Sequence, residues 1–127
     1  MAYLLAALGG ALGALARWAV GLALPRSSES WPWGTLTVNL VGCLLIGVLL
    51  AVLDARRPDD DRLRTFLGAG VLGGFTTFSA FAVEATDLMR AGSPTMAAAY
   101  VAVSVLGGLV AVAAGLQIGG PVGGARP

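Results

Sequence analysis

Gly73-Gly74-Phe75-Thr76-Thr77-Phe78-Ser79-Ala80-Phe81 lies inside a segment that is otherwise apolar enough to cross a membrane. Glycine costs backbone entropy and threonine loses side-chain freedom against the preceding turn, so both pairs are poor helix continuers. In hydrocarbon, freed backbone groups must find partners. Irregular backbone therefore persists only where protein buries it or where it lines a wet cavity or an ion site. The i, i+3 spacing of Phe75, Phe78 and Phe81 predicts a shared aromatic face on one helix. The stretch reads as a membrane helix broken near its middle, at a place where an ion is handled.

The rest of the chain agrees. Of 127 residues, 57% are hydrophobic and 12% charged, with a mean hydropathy of +0.82. Soluble domains carry about 25% charged residues, so the composition is that of an integral membrane protein. Four spans stand out, at about 3–24, 33–53, 63–89 and 95–118. Each reaches the ~20 residues that cross ~30 Å of hydrocarbon. The first lacks a basic start and carries Arg17, so it reads as a retained helix rather than a signal peptide. The fold class is all-α: a single four-helix transmembrane domain over 1–127, whose last stretch, 119–127, is a flexible glycine- and proline-rich tail. The connections are PRSSESWP (25–32), DARRPDDDRLR (54–64) and the tight turn AGSP (91–94).

Charge and residue inventory exclude several functions. All eight basic residues are arginines and the net charge is +1, which is no basic field for nucleic acid. There is no histidine and one cysteine, Cys43, so there is no disulfide framework and no zinc or haem ligand set. No nucleophile–base pair with histidine and no phosphate loop marks an enzyme. Arg56, Arg57, Arg62, Arg64 and Arg126 fall on the side of the N-terminus, against Arg17, Arg26 and Arg90 on the other. The excess is small and favours the N-terminus inside.

Small residues form ridges at i+4 spacing: Gly9, Gly13 and Gly21 on the first span, and Gly107, Ala111, Gly115 and Gly119 on the last. Such ridges let membrane helices approach closely. The spans also hold Arg17, Thr35, Asn39, Thr76, Thr77, Ser79, Glu84, Tyr100 and Ser104. Intramembrane polar groups face a bundle interior or a wet cavity. Four helices alone enclose little space, so a dimer whose interface hosts part of the site is the simplest arrangement.

Thr35 and Asn39 share a face at i, i+4, as do Tyr100 and Ser104. An asparagine in a membrane helix serves equally well as interhelical glue or as a pore donor. Donors without a fixed counter-charge suit a small anion that must bind and also leave. A phenylalanine stripe is ordinarily packing, but its positive ring edges can also meet an anion. The break offers free carbonyl oxygens, and no acidic residue lies within 73–77 to hold a divalent ion. A monovalent cation such as sodium fits better.

GTLTVNLVG (34–42) and GGFTTFSAF (73–81), with GGALGALARW (9–18) upstream, closely resemble the Fluc/CrcB family of fluoride channels. The resemblance covers all four spans. It implies an antiparallel, dual-topology dimer of four-helix subunits in the prokaryotic inner membrane, contacting lipid, with two fluoride pores and a central sodium ion. It further implies passive export of cytoplasmic fluoride and resistance to it. By motif, Asn39 looks like the pore amide, and Phe78 and Phe81 like the pore phenylalanines. Thr35, Tyr100 and Ser104 match the polar tracks, and Arg17 and Glu84 the vestibule. Gly73 and Thr76 match the backbone carbonyls that hold sodium, completed by their mates in the partner. The chain departs from the family at Ala80 and Ala82, where hydroxyls are usual, at Cys43, where serine is usual, and at Trp18, which replaces a smaller aromatic. A homodimer is the simplest assembly; the arginine bias also fits one half of a heterodimer with a paralogous subunit.

Two other classes compete. A small four-helix dual-topology multidrug exporter is similar in size, but resembles a carboxylate machine in its first helix, and no acid precedes Glu29 here. A non-transporting membrane assembly protein accounts for the glycine ridges but not for the break, the donors and the phenylalanines together.

Overall fold

The computed structural model describes residues 1–121; of the expected tail, 122–127 lie outside the described residues. Four helical crossings follow one another: α1 (Ala2–Ala23), α2 (Trp33–Arg56), a segmented third crossing over Asp61–Arg90, and a last helix over Pro94–Gly119. All four are long and apolar enough to span a membrane.

The ends of the crossings follow their capping chemistry. α2 runs three residues past the expected position 53, through Asp54, whose carboxylate takes Arg64 Nη2 at 2.9 Å. The third crossing starts two residues early, because Asp60 Oδ1 accepts the Leu63 N–H at 2.9 Å and caps it. That backbone hydrogen bond, with Arg57 nearby, holds the Asp60 carboxyl below its usual range. The connection to the last helix is a Schellman turn. Ser93 N–H reaches Leu88 O at 2.9 Å and Gly92 N–H reaches Met89 O at 3.2 Å, with Gly92 at φ 79°. Pro94 then opens the last helix at a position that needs no N–H.

The third crossing is segmented. A short α3 (Asp61–Leu63) runs into a π-helix (Arg64–Leu72), then α4 (Gly73–Phe75), a break at Thr76 and Thr77, and α5 (Phe78–Arg90); the last helix is α6 (Pro94–Gly119). Thr76 sits at φ −82°, ψ 158° and Thr77 at φ −150°, ψ 122°, both extended. The break therefore falls on the threonines, while Gly73 and Gly74 stay helical. The glycines serve packing instead: a Cβ on Gly74 would strike the Gly10 carbonyl oxygen on α1. The break also separates Phe75 from Phe78, so the expected three-ring face reduces to Phe78 and Phe81 on α5.

Backbone contact through glycine joins the crossings in two pairs. α1 lies on the π-helix and α4, where Gly9 and Gly70 are so close that a Cβ on Gly9 would lie 2.9 Å from the Gly70 Cα. α2 lies on α6 through Gly47 and Gly115, where each added Cβ would come within 3.0 Å of the other Cα. Gly115→Val is expected to destabilise the fold by about 1–3 kcal/mol, the range for overpacking. Gly21→Ala meets open space and exchanges a poor helix former for the best one inside α1, so it is expected to raise stability by up to about 1 kcal/mol. Thermal unfolding in detergent compares the two.

Candidate functional site

The break is built from side chains that replace its lost helical bonds. In an unbroken helix the Thr77 N–H would reach the Gly73 carbonyl. Here it donates to Asn39 Oδ1 at 2.8 Å, while Asn39 Nδ2 donates back to the Thr77 carbonyl at 2.9 Å. The Ala80 N–H, which would reach the Thr76 carbonyl, donates instead to Thr77 Oγ1 at 3.2 Å, so Thr77 caps α5. The carbonyls of Gly73 and Thr76 are thereby both released from their helical donors. On the opposite side, Arg17 Nε donates to the Gly74 carbonyl at 3.1 Å. Thr76 turns its own hydroxyl back onto the Leu72 carbonyl at 3.0 Å, leaving its main-chain oxygen as the free group.

A groove of about 420 Å³ opens on one face of the subunit beside this break. It brings together Asn39, Phe78, Phe81, Ser104, Gly73 and Thr76, and none of its lining residues carries a charge. Phe78 is 78% exposed, with its ring centroid 5.5 Å from that of Phe81. Ser104 Oγ is buried and has no hydrogen-bond partner. Asn39 Nδ2 keeps a second N–H beyond the one spent on Thr77. The groove thus holds spare neutral donors, aromatic rings and free carbonyls.

Thr35, Tyr100 and Glu84 form a separate buried cluster. Thr35 Oγ1 donates to Glu84 Oε1 at 2.7 Å, and the Tyr100 hydroxyl donates to Glu84 Oε2 at 2.8 Å. Tyr100 is fully buried, its ring against Phe81 with centroids 5.2 Å apart. The i, i+4 pairing of Tyr100 with Ser104 therefore divides between two places: Tyr100 turns to Glu84, and Ser104 to the groove. Arg17 lies with Thr35, Thr77 and Ala80 around a second cleft of about 350 Å³. Thr77 borders both spaces.

Sequence reasoning did not single out Thr77 as a site residue, although it is the centre of the break. The available signal was its place just before the helical run that starts at Phe78, where threonine is a favoured cap. Among the described residues no group of three or more histidine, cysteine, aspartate or glutamate side chains converges.

The model of the family described as CrcB-like protein, Camphor Resistance (CrcB), matches residues 4–116. A Xanthomonas euvesicatoria pv. vesicatoria (strain 85-10) protein named fluoride-specific ion channel FluC is 49% identical over 117 residues, covering 91% of this chain and 88% of the relative. Fluoride-specific ion channel FluC 2 of Thermobifida fusca (strain YX) is 50% identical over 108 residues, covering 85% and 80%. The Chloroflexus aurantiacus (strain ATCC 29366 / DSM 635 / J-10-fl) protein of the same name as the first is 44% identical over 119 residues, covering 93% and 94%.

Proposed function

The chain belongs to the CrcB-like family, and from that premise we propose that it is a fluoride-selective passive ion channel that exports cytoplasmic fluoride and confers resistance to it. The observation that carries this reading is the uncharged groove holding Asn39, Ser104, Phe78 and Phe81. Neutral donors and ring edges attract a small anion without trapping it, as a fixed cation would. No carboxylate lines the groove to couple movement to protons, so permeation runs down the fluoride gradient.

The working unit is an antiparallel homodimer in the prokaryotic inner membrane, surrounded by lipid. One subunit leaves the groove open on its face and Phe78 bare; a second subunit would close it. Gly73 and Thr76 would hold a sodium ion by their carbonyl oxygens, and the same two from the partner would make four. The donor set fits a hard monovalent cation: neutral oxygens, freed from helical bonds, with no acid beside them. Bound there, sodium would tie the two breaks together.

Liposomes holding only this purified chain test the proposal. They are expected to release fluoride down its gradient, retain chloride, and need no proton gradient. Equal chloride loss would reject selectivity. A strict need for a proton gradient would indicate an exchanger, and no flux from an intact dimer would leave a membrane assembly protein.

A further inference from the structure

Arg17 carries a charge inside a membrane-spanning helix, and among the described residues no carboxylate stands within ion-pairing distance of it. Charges in such helices are costly and pair with one another or with main-chain carbonyls. Arg17 does the second: its Nε donates to the Gly74 carbonyl at 3.1 Å, 57 positions away in the chain.

The packing of α1 delivers that bond. Gly9, Gly13 and Arg17 are successive i+4 positions on one face of α1. A Cβ on Gly13 would lie 2.7 Å from the Phe75 nitrogen, so this face rests on the backbone of α4. One turn further on, Arg17 arrives where α4 ends. In an unbroken helix the Gly74 carbonyl would accept the Phe78 N–H. The extended residues Thr76 and Thr77 carry that donor away, and Arg17 Nε takes its place.

What the bond fixes is direction. Glycine has the most freely turning backbone, and two glycines adjoin here. The Gly73 carbonyl shares a peptide plane with the Gly74 nitrogen, so a turn of Gly74 re-aims it. On one side of that plane the Gly73 N–H is held by the Gly68 and Gly70 carbonyls; on the other, the only side chain that holds Gly74 is Arg17. Asn39 holds Thr77, just beyond the Thr76 carbonyl. The break is thus clamped from α1 at its start and from α2 at its end.

We infer that Arg17 is a positioning residue of the break: its Nε–H, and not its charge, holds Gly74 and keeps the Gly73 and Thr76 carbonyls aimed at the cation proposed to join two subunits. The role rests on that proposed sodium site; the hydrogen bond does not. Charge and hydrogen bond make opposite demands. A fixed positive charge near a cation repels it, so losing the charge alone would tighten sodium binding. Losing the hydrogen bond would loosen it.

Two substitutions separate these effects, because both remove the charge and only one keeps a donor. Along the side chain, glutamine Nε2 falls at the place of arginine Nε, and the methionine methyl falls there too. Dimer lifetime is measured for the purified full chain in detergent at graded sodium, with ionic strength held by a bulky organic cation. In the unmutated chain the lifetime is expected to rise saturably with sodium. Arg17→Gln should keep the sodium midpoint or lower it. Arg17→Met should raise it by about tenfold or more, the scale of a lost charge-assisted hydrogen bond in each subunit. Saturating sodium should then restore the lifetime of Arg17→Met, which a general folding defect would not allow. Equal midpoints in the two variants, or loss of the Arg17→Met dimer at every sodium concentration, overturn the positioning role and leave the cation site standing. A lifetime indifferent to sodium in the unmutated chain rejects the cation site and this role together.

Discussion

Asn39→Asp is expected to reduce fluoride flux by at least about a hundredfold while the protein still elutes as an intact assembly; each tenfold corresponds to about 1.4 kcal/mol of barrier. The substitution keeps shape and retains an acceptor for the Thr77 N–H, the 2.8 Å bond that holds the break. It removes the Nδ2 donor, sets an oxygen against the Thr77 carbonyl in place of a 2.9 Å bond, and puts negative charge in a groove that otherwise has none. An anion then meets repulsion where it met a donor. Asn39→Leu separates the structural share of this effect. It leaves the Thr77 N–H without its acceptor, at about 1–3 kcal/mol. The Thr77 carbonyl loses the Asn39 donor but, as the cap of α5, keeps the first bond of that helix. The variant should therefore weaken folding as well as flux. Unimpaired fluoride release from liposomes containing Asn39→Asp would reduce Asn39 to a clasp for the helix break.

Asn39 shows how far a sequence reaches. Its position on an apolar helix marked it as both interhelical glue and a pore donor, and it makes the glue contact with one N–H while keeping the other. Its partner was beyond reach, because Thr77 is 38 residues away and the contact exists only once α2 packs beside the third crossing. Local propensity marked both the Gly73-Gly74 and the Thr76-Thr77 pair and could not choose between them. Gly73 and Gly74 are poor helix formers, but the close approach of α1 holds Gly74 in helix, and tertiary contact outweighs propensity. The threonines broke instead because Asn39 and the Thr77 hydroxyl supply what the helix gives up. The same dependence hid the Glu84 cluster: i, i+4 spacing pairs Tyr100 with Ser104 within α6, whereas the Tyr100 hydroxyl bonds across to α5. The π-helix before the break has no local signature in RTFLGAGVL. The four crossings were legible because hydropathy alone fixes them; the contacts between them needed the folded arrangement.

Thr77→Pro is expected to abolish both fluoride flux and the sodium dependence of the dimer. Thr77 sits at φ −150°, whereas proline is held near −65°, so the segment must rotate. Proline also lacks the N–H that Asn39 Oδ1 accepts. Rotation redirects the Thr76 carbonyl immediately before it, one of the two oxygens each subunit is proposed to give the cation. By contrast, Thr76→Val deletes only a hydroxyl that bonds back to the Leu72 carbonyl. It spares the main-chain oxygen and should change flux by less than about tenfold, in keeping with one net hydrogen bond. In the unmutated protein, exchanging sodium for a larger cation should mimic Thr77→Pro, because an ion shared across an interface stabilises it by mass action. Dissociation measured at graded sodium concentrations, in detergent and in lipid, makes the comparison. If dimer lifetime and flux ignore sodium, and Thr76→Val proves as damaging as Thr77→Pro, the hydroxyl matters and the carbonyl cage does not. The break would then act only as a bend, aiming Phe78 into the groove.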